Sequence, residues 1–230
     1  MKKILLLLLL LIPFIGFGQI NTFPWTHDFE NYWILEEDTV NDDGDWWLMQ
    51  GPTGSFNTGP QGDHTTGSGL YYYVEASLNG VSYPSQTAIT YTPTFDVSQT
   101  PGQILSFWYH MYGSTMGDLE IGIVDNNGYT FLDIISGDQG DEWHLAYYTI
   151  PSTGIFKVQF TATTGSLYYS DICIDDLYVG DPYNIGCMDS TALNYDPSAV
   201  VDDGSCTYPP CGGFAAYNAY QMCWGNQAAI

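Results

Sequence analysis

The chain has 230 residues, of which 26 are acidic and only three basic, and its formal net charge is −23. That balance excludes nucleic acid and anionic membrane surfaces as partners, since almost nothing can neutralise phosphates; cations are the natural small partner. Strong acidity alone is compatible with disorder, but an aromatic content of 16% favours a packed core.

"MKKILLLLLLLIPFIGFGQ" opens on Lys2 and Lys3, runs apolar from Ile4 to Ile15, and ends in small residues before Gln19. This pattern predicts a secretory signal peptide over 1–18. The apolar run is shorter than the ~20 residues a spanning helix needs, so no membrane insertion is expected after its removal. Without Lys2 and Lys3 the net charge becomes −25, and Lys157 is the only basic residue left. Cys173, Cys187, Cys206, Cys211 and Cys223 make an odd number, which in an exported chain predicts pairs and one leftover thiol.

Residues 19–182 read as the main domain. Its first part is irregular, with the acidic loop "EEDTVNDDGDWW" and the Gly-rich "GPTGSFNTGPQGDHTTGSGLYYYVEAS". Loops this long are functional or disordered, and their aromatic residues favour order here. From residue 85 to 180 the segments "AITYTPTFDV", "GQILSFWYHMYG", "GDLEIGIV", "WHLAYYTI", "IFKVQFTAT" and "DICIDDLYVG" each read as a strand. Alternation puts Leu105, Phe107, Tyr109 and Met111 on one face, and does the same for Leu119, Ile121 and Ile123, and for Phe156, Val158 and Phe160. "VDNNGYT" predicts a hairpin turn centred on Asn-Gly. With no helical period anywhere, the expected fold is all-β, a jelly-roll β-sandwich.

After Pro182 the chain becomes polar. Residues 183–209 form a short module closed by Cys187 and Cys206. A bridge between them would enclose a 20-residue loop and stabilise by roughly 3 kcal/mol on the chain-entropy model. Cys211 and Cys223 are a second candidate pair. Residues 210–230 read as a tail or the start of a further module, as if the chain stopped inside a longer protein.

No catalytic constellation stands out. His27, His64, His110 and His144 are dispersed, with no H-E-x-x-H motif, no G-x-S-x-G elbow and no phosphate-binding glycine loop. Cys173 sits in a strand and reads as a buried, inert thiol. A glycosidase needs two carboxylates, and among 26 the sequence nominates no pair.

One segment is anomalous. "SDICIDDLYVG" reads as a core strand, yet Asp171, Asp175 and Asp176 interrupt it, and burying an unpaired carboxylate costs several kcal/mol. Strand parity places Asp171, Cys173, Asp175 and Leu177 on one face, and Ile172, Ile174, Asp176 and Tyr178 on the other. One lysine cannot pair three aspartates, whereas a hard cation can. Turn capping in contact with water is the competing use of these carboxylates.

The ordered motifs "HDFEN", "DDGDWW", "TGPQGDHTTGSGLYYYVEAS", "LSFWYHMYGSTMGDLEIGI", "GDEWHLAYYTI", "FKVQFTATTG" and "SDICIDDLYVG" resemble the MAM domain over residues 23–181. The resemblance implies a jelly-roll domain of extracellular adhesion and assembly, with a structural cation joining its first and last strands. Carried over by motif, the ligands are Glu30, Asp63 and Asp175, with Asp176 in reserve and Thr65 completing the shell; the implied ion is Ca²⁺. The family's usual internal cysteines are missing, because those places hold His27 or Asp28 and Gln103 or Ile104. "GCMDSTALNYDPSAVVDDGSC" resembles a repeat of secreted bacterial proteins. Its Asp189, Asn194, Asp196, Asp202 and Asp203 could bind Ca²⁺ or cap turns.

The expected function is therefore that of a secreted, non-catalytic adhesion or recognition module, stabilised by Ca²⁺, whose partner is an extracellular protein or a second copy of itself. A carbohydrate-binding module, or an accessory domain of a secreted hydrolase or protease, is the alternative. Among the aromatic residues, Tyr71, Tyr72 and Tyr73 are the candidate ligand platform through whichever of them face outward.

Overall fold

The structure, a computed structural model, describes residues 18–30, 35–77, 80–182, 185–199 and 201–209. The 1–18 segment up to residue 17, and Cys211 and Cys223, lie outside the described residues. The chain divides into two compact units, Met1–Gly180 and Asp181–Ile230.

The first unit contains twelve strands in two sheets, with no α-helix among the described residues. They are β1 (Trp25–His27), β2 (Glu36–Glu37), β3 (Trp47–Gln50), β4 (Leu70–Val74), β5 (Thr87–Tyr91) and β6 (Phe95–Asp96). There follow β7 (Ile104–Met111), β8 (Asp118–Asp125), β9 (Gly128–Ser136), β10 (His144–Thr149), β11 (Ile155–Thr163) and β12 (Ile172–Gly180). One sheet has the order β10-β7-β12-β4-β3, with β1 beside the end of β12; the other has the order β2-β5-β11-β8-β9, with β6 beside the start of β11. All these pairings are antiparallel. The expected all-β sandwich is what forms.

The core lies between the sheets and follows from the period of two. Leu105, Phe107 and Met111 of β7 point inward, as do Leu119, Ile121 and Ile123 of β8 and Phe156, Val158 and Phe160 of β11. Phe107 meets Phe160 edge-on, with ring centroids 5.0 Å apart. Tyr72 lies between Phe29 and Trp46, stacked on both. Its hydroxyl donates to Glu37, and Trp46 Nε1 donates to the Ala88 carbonyl at 3.1 Å, so the polar tips of these core aromatics are satisfied.

Two local expectations need correction. The β8–β9 hairpin turns on Asn126–Asn127, with Gly128 already paired to Asp125 and held at φ 110°, a conformation that favours glycine. In β12 the alternation breaks. A bulge between Asp175 and Tyr178 puts Asp176 in the left-handed region, at φ 47°. The inward set is consequently Ile172, Ile174, Leu177 and Val179, and Asp176 no longer shares a face with Ile174.

The second unit contains β13 (Ile185–Gly186) and β14 (Val201–Asp202), paired in parallel, and a disulfide joins Cys187 to Cys206 as expected. Its acidic residues cap turns. Asp189, Asp196, Asp202 and Asp203 each accept the amide two residues ahead, and Asn194 accepts from Thr207.

Truncating the inward ring of Phe160 to alanine is expected to lower unfolding free energy by about 3–5 kcal/mol. The same change at Phe131, 53% exposed on β9, is expected to stay within about 0.5 kcal/mol. Urea titration of both variants checks this.

Candidate functional site

The two outer faces of the sandwich are unlike each other. On the β7–β12–β4 sheet, the outward positions Ser106, His110, Tyr71, Asp171, Cys173 and Asp175 are all buried. The segment 51–70 lies against Tyr71, Asp171 and Asp175, while His110 packs against Trp143 and lies 3.3 Å from Asp141. Thr53, Thr58, Gly59, Pro60, Gly62 and Asp63 are buried within the segment. Its backbone is fixed from below by Tyr71, whose hydroxyl donates to the Gly51 carbonyl at 2.8 Å, and by Trp143, whose Nε1 donates to the Gly62 carbonyl at 3.2 Å. His64 stacks on Trp108 with centroids 3.7 Å apart.

This cover explains the aspartates of β12. Asp175 Oδ2 accepts the His64 amide at 2.9 Å, and its Oδ1 accepts the Asp176 amide at 2.8 Å. Asp171 Oδ1 accepts the Ala76 amide at 3.0 Å, while its own amide donates to Thr58 Oγ1 at 2.9 Å. Asp176, turned outward by the bulge, takes the Thr65 hydroxyl at 2.6 Å and lies 2.7 Å from His64 Nδ1. Within the cover, Asp63 accepts the Thr66 and Gly69 amides and the Thr66 hydroxyl. Glu30 Oε1 accepts the Leu70 amide at 2.6 Å.

Glu30, Asp63, Asp175, Asp176 and Thr65, expected as metal ligands, therefore all meet one loop, 63–70. Glu30 and Asp63 approach each other over Gly69, where an added Cβ would overlap the Glu30 carboxylate and sit 3.0 Å from Asp63 Oδ2. Thr65 pairs with Asp176 rather than with the other three. Among the described residues, no group of three or more His, Cys, Asp or Glu side chains is arranged so that it could hold a metal ion. The donors are nonetheless all oxygen and carry surplus negative charge. Burial, then the charges of Asp176 and Asp63, push the Asp175 carboxyl up to about 8 despite its amide donors. Burial also acts on Asp63, but the Thr66 and Gly69 amides outweigh it and hold that carboxyl below its ordinary value. This chemistry fits a hard cation.

The tyrosine platform is corrected by the same cover. Tyr71 lies beneath segment 51–70 and Tyr72 lies in the inter-sheet core, both with no exposure, so neither offers a ring to a ligand. Tyr73 keeps partial exposure beside Trp47, its partner on β3. Cys173 is a free, fully buried thiol.

The opposite outer face, on the β2-β5-β11-β8-β9 sheet, is half-exposed along its strands. Register aligns Phe131, Gly122, Gln159, Tyr91 and Glu36 in one row across five strands. A second row carries Ile134, Glu120, Thr161 and Ile89. Tyr129 folds over Gly122, where a Cβ would strike its ring, and its hydroxyl donates to Glu120. Tyr129, Phe131 and Ile134 are 44%, 53% and 44% exposed. Lys157 of this face is paired with Glu36. None of these residues stood out in the sequence; the available signal was Gly122, a gap in an otherwise bulky strand facing an aromatic residue across the hairpin.

The family profile for the MAM domain, meprin/A5/mu, matches residues 28–183. The chain belongs to the MAM domain family. Among its relatives is thyroid hormone-induced protein B of Xenopus laevis, 37% identical over 145 residues, a match covering 61% of this chain and 20% of that protein. Neuropilin-1a of Danio rerio is 30% identical over 174 residues, covering 73% of this chain and 18% of that protein. The MAM chain thus spans about a fifth of these relatives' length. Among solved structures, a cleaved adhesin domain of Lys-gingipain from Porphyromonas gingivalis superposes with a TM-score of 0.50 at 15% identity, covering 70% of this chain and 99% of that one. That likeness concerns the fold.

The covered face makes a pH prediction. Burial, then the charge of Glu75, raise the Asp171 carboxyl to about 7. Between the unfolded value near 4 and that folded value, the native state binds the extra proton, so stability falls as pH rises through this window. Asp175 contributes with the same sign. In EDTA, the melting temperature of the parent is expected to fall between about pH 5 and about pH 8, and Asp171→Asn to remove part of that fall. An Asp171→Asn profile superimposable on the parent's would contradict the assignment.

Proposed function

We propose that this MAM chain is an exported, non-catalytic recognition module that binds an extracellular protein through the open outer face of the β5-β11-β8-β9 sheet. One observation carries the reading. Among the described residues, segment 51–70 covers the centre of one outer face, leaving Trp47 and Tyr147 exposed on its edge strands β3 and β10, while the other face is open across its strands, with aromatic and aliphatic side chains exposed on it. An exposed apolar patch rimmed by polar groups is how a soluble domain presents a docking surface. The carboxyls with raised proton affinity, Asp171 and Asp175, are sealed under the cover, where no substrate reaches them. No described helix is long and apolar enough to cross a membrane. Export rests on the 1–18 pattern, and a mature chain starting at Gln19 is part of the proposal.

A cell-surface binding assay tests it. The purified chain is expected to bind surfaces carrying its partner, and Phe131→Asp to abolish binding without lowering the melting temperature. Protease treatment of the surface is expected to remove binding, and periodate oxidation to leave it. Loss to periodate alone would favour a glycan ligand instead.

A structural Ca²⁺ belongs to the same proposal, held by Glu30, Asp63 and Asp175. The ion would neutralise the carboxylates that meet loop 63–70 and tie that loop to β12. At a hundredfold excess over Kd it would stabilise by about 2.7 kcal/mol, or roughly 5–10 °C for a domain of this size. EDTA is expected to lower the melting temperature by that amount and Ca²⁺ to restore it. Asp175→Ala should lose the Ca²⁺ response. If sodium chloride at matched ionic strength reproduces the Ca²⁺ effect, screening of the acidic chain explains it and the site is refuted.

A further inference from the structure

The open face carries a second piece of information, its charge. Glu36, Glu120 and Asp118 lie on it, with Asp125 at its rim, and its one cation, Lys157, is already tied to Glu36. The whole chain holds three basic residues against 26 acidic ones. From the rows Phe131–Gly122–Gln159–Tyr91–Glu36 and Ile134–Glu120–Thr161–Ile89, we infer that the partner of this face is a cationic protein surface, presenting arginine or lysine beside an apolar side chain. This rests on the reading of the face as the recognition surface.

Three arguments converge. First, size. With strands about 4.8 Å apart and a rise of about 3.3 Å per residue, the 35 residues of β2, β5, β6, β8, β9 and β11 span roughly 550 Å². That approaches the ≈ 800 Å² each partner contributes to a standard interface. Second, chemistry. Phe131 and Tyr129 present rings on which a guanidinium can lie, and Glu120 stands beside them, its Oε1 already accepting from Tyr129. Ring and carboxylate together select a cation over a neutral group. Third, exclusion. A second copy would bring an equally acidic face against this one, and like charges across an interface oppose association. The partner is therefore not this chain.

The test uses the full chain and three immobilised peptides of about 12 residues, alternating Arg-Leu, Arg-Ser and Glu-Leu. The Arg-Leu peptide is expected to bind, and to weaken about tenfold between about 50 and about 300 mM NaCl. The Arg-Ser peptide should bind less tightly and the Glu-Leu peptide not measurably. Phe131→Ser and Glu120→Gln should each weaken Arg-Leu binding at least about fivefold. Tyr147→Ser, at a 67% exposed site on β10 of the other sheet, should leave it unchanged. If Phe131→Ser and Glu120→Gln bind like the parent, attraction is diffuse and the inference falls. If Glu-Leu binds as well as Arg-Leu but still needs Phe131, the recognition face survives and the cationic partner does not. A dimer in sedimentation that Phe131→Ser dissociates would also overturn the inference, in favour of self-association.

Discussion

Asp175 and Asp171 are the constraint on which the rest of this structure depends. Both are buried in a chain that has almost no basic side chains to pair them. Their partners are instead the backbone amides of His64, Asp176 and Ala76. Burial raises the Asp171 and Asp175 carboxyls to about 7 and about 8, so near neutral pH they accept the amides largely in the protonated form, and breaking the bonds would strand a buried polar group. The aspartates therefore hold segment 51–70 onto the sheet as firmly as the segment satisfies them. Asp63, buried and fed by the Thr66 and Gly69 amides, shapes the same loop from inside.

From that constraint follows the asymmetry of the sandwich. Once the segment is pinned, Tyr71 becomes an interior residue on what would otherwise be an outer face, and His110 and Cys173 are buried on that same face. β12 is then covered on both sides, and only the bulge at Asp176 breaks through to solvent. The opposite sheet has no such anchors facing outward. Its outward positions include Ile89, Tyr91, Glu120, Lys157, Gln159 and Thr161, and its edge strand β9 carries exposed aromatic residues. The open face is the docking surface we propose, and the acidity of the chain would give it a preference for cationic partners.

Much of this was legible in the sequence. Alternation placed Leu105 and Phe107, then Leu119, Ile121 and Ile123, then Phe156, Val158 and Phe160 correctly, because inward side chains repeat every second residue and the core tolerates little else. The ordered motifs identified the family, and the Cys187–Cys206 bridge followed from the module they bracket. The bulge was not legible. A single extra residue leaves no compositional mark, and it reversed the face of Asp176. Nor was the fate of "YYY". Tyr71 and Tyr73 alternate identically in sequence, and only the way segment 51–70 folds back over one of them decides between them. The open row around Gly122 escaped for a related reason, since a residue's exposure there depends on strand order rather than on its own neighbours.

Amide hydrogen exchange across segment 63–70 tests the central claim most directly. If buried carboxylates pin the segment, the amides of His64, Thr66, Gly69 and Leu70 exchange nearly as slowly as those of β7. Asp175→Ala then releases His64 while leaving β11 protected. Exchange of these four amides as fast as that of exposed Asn126 in the β8–β9 turn would contradict the account.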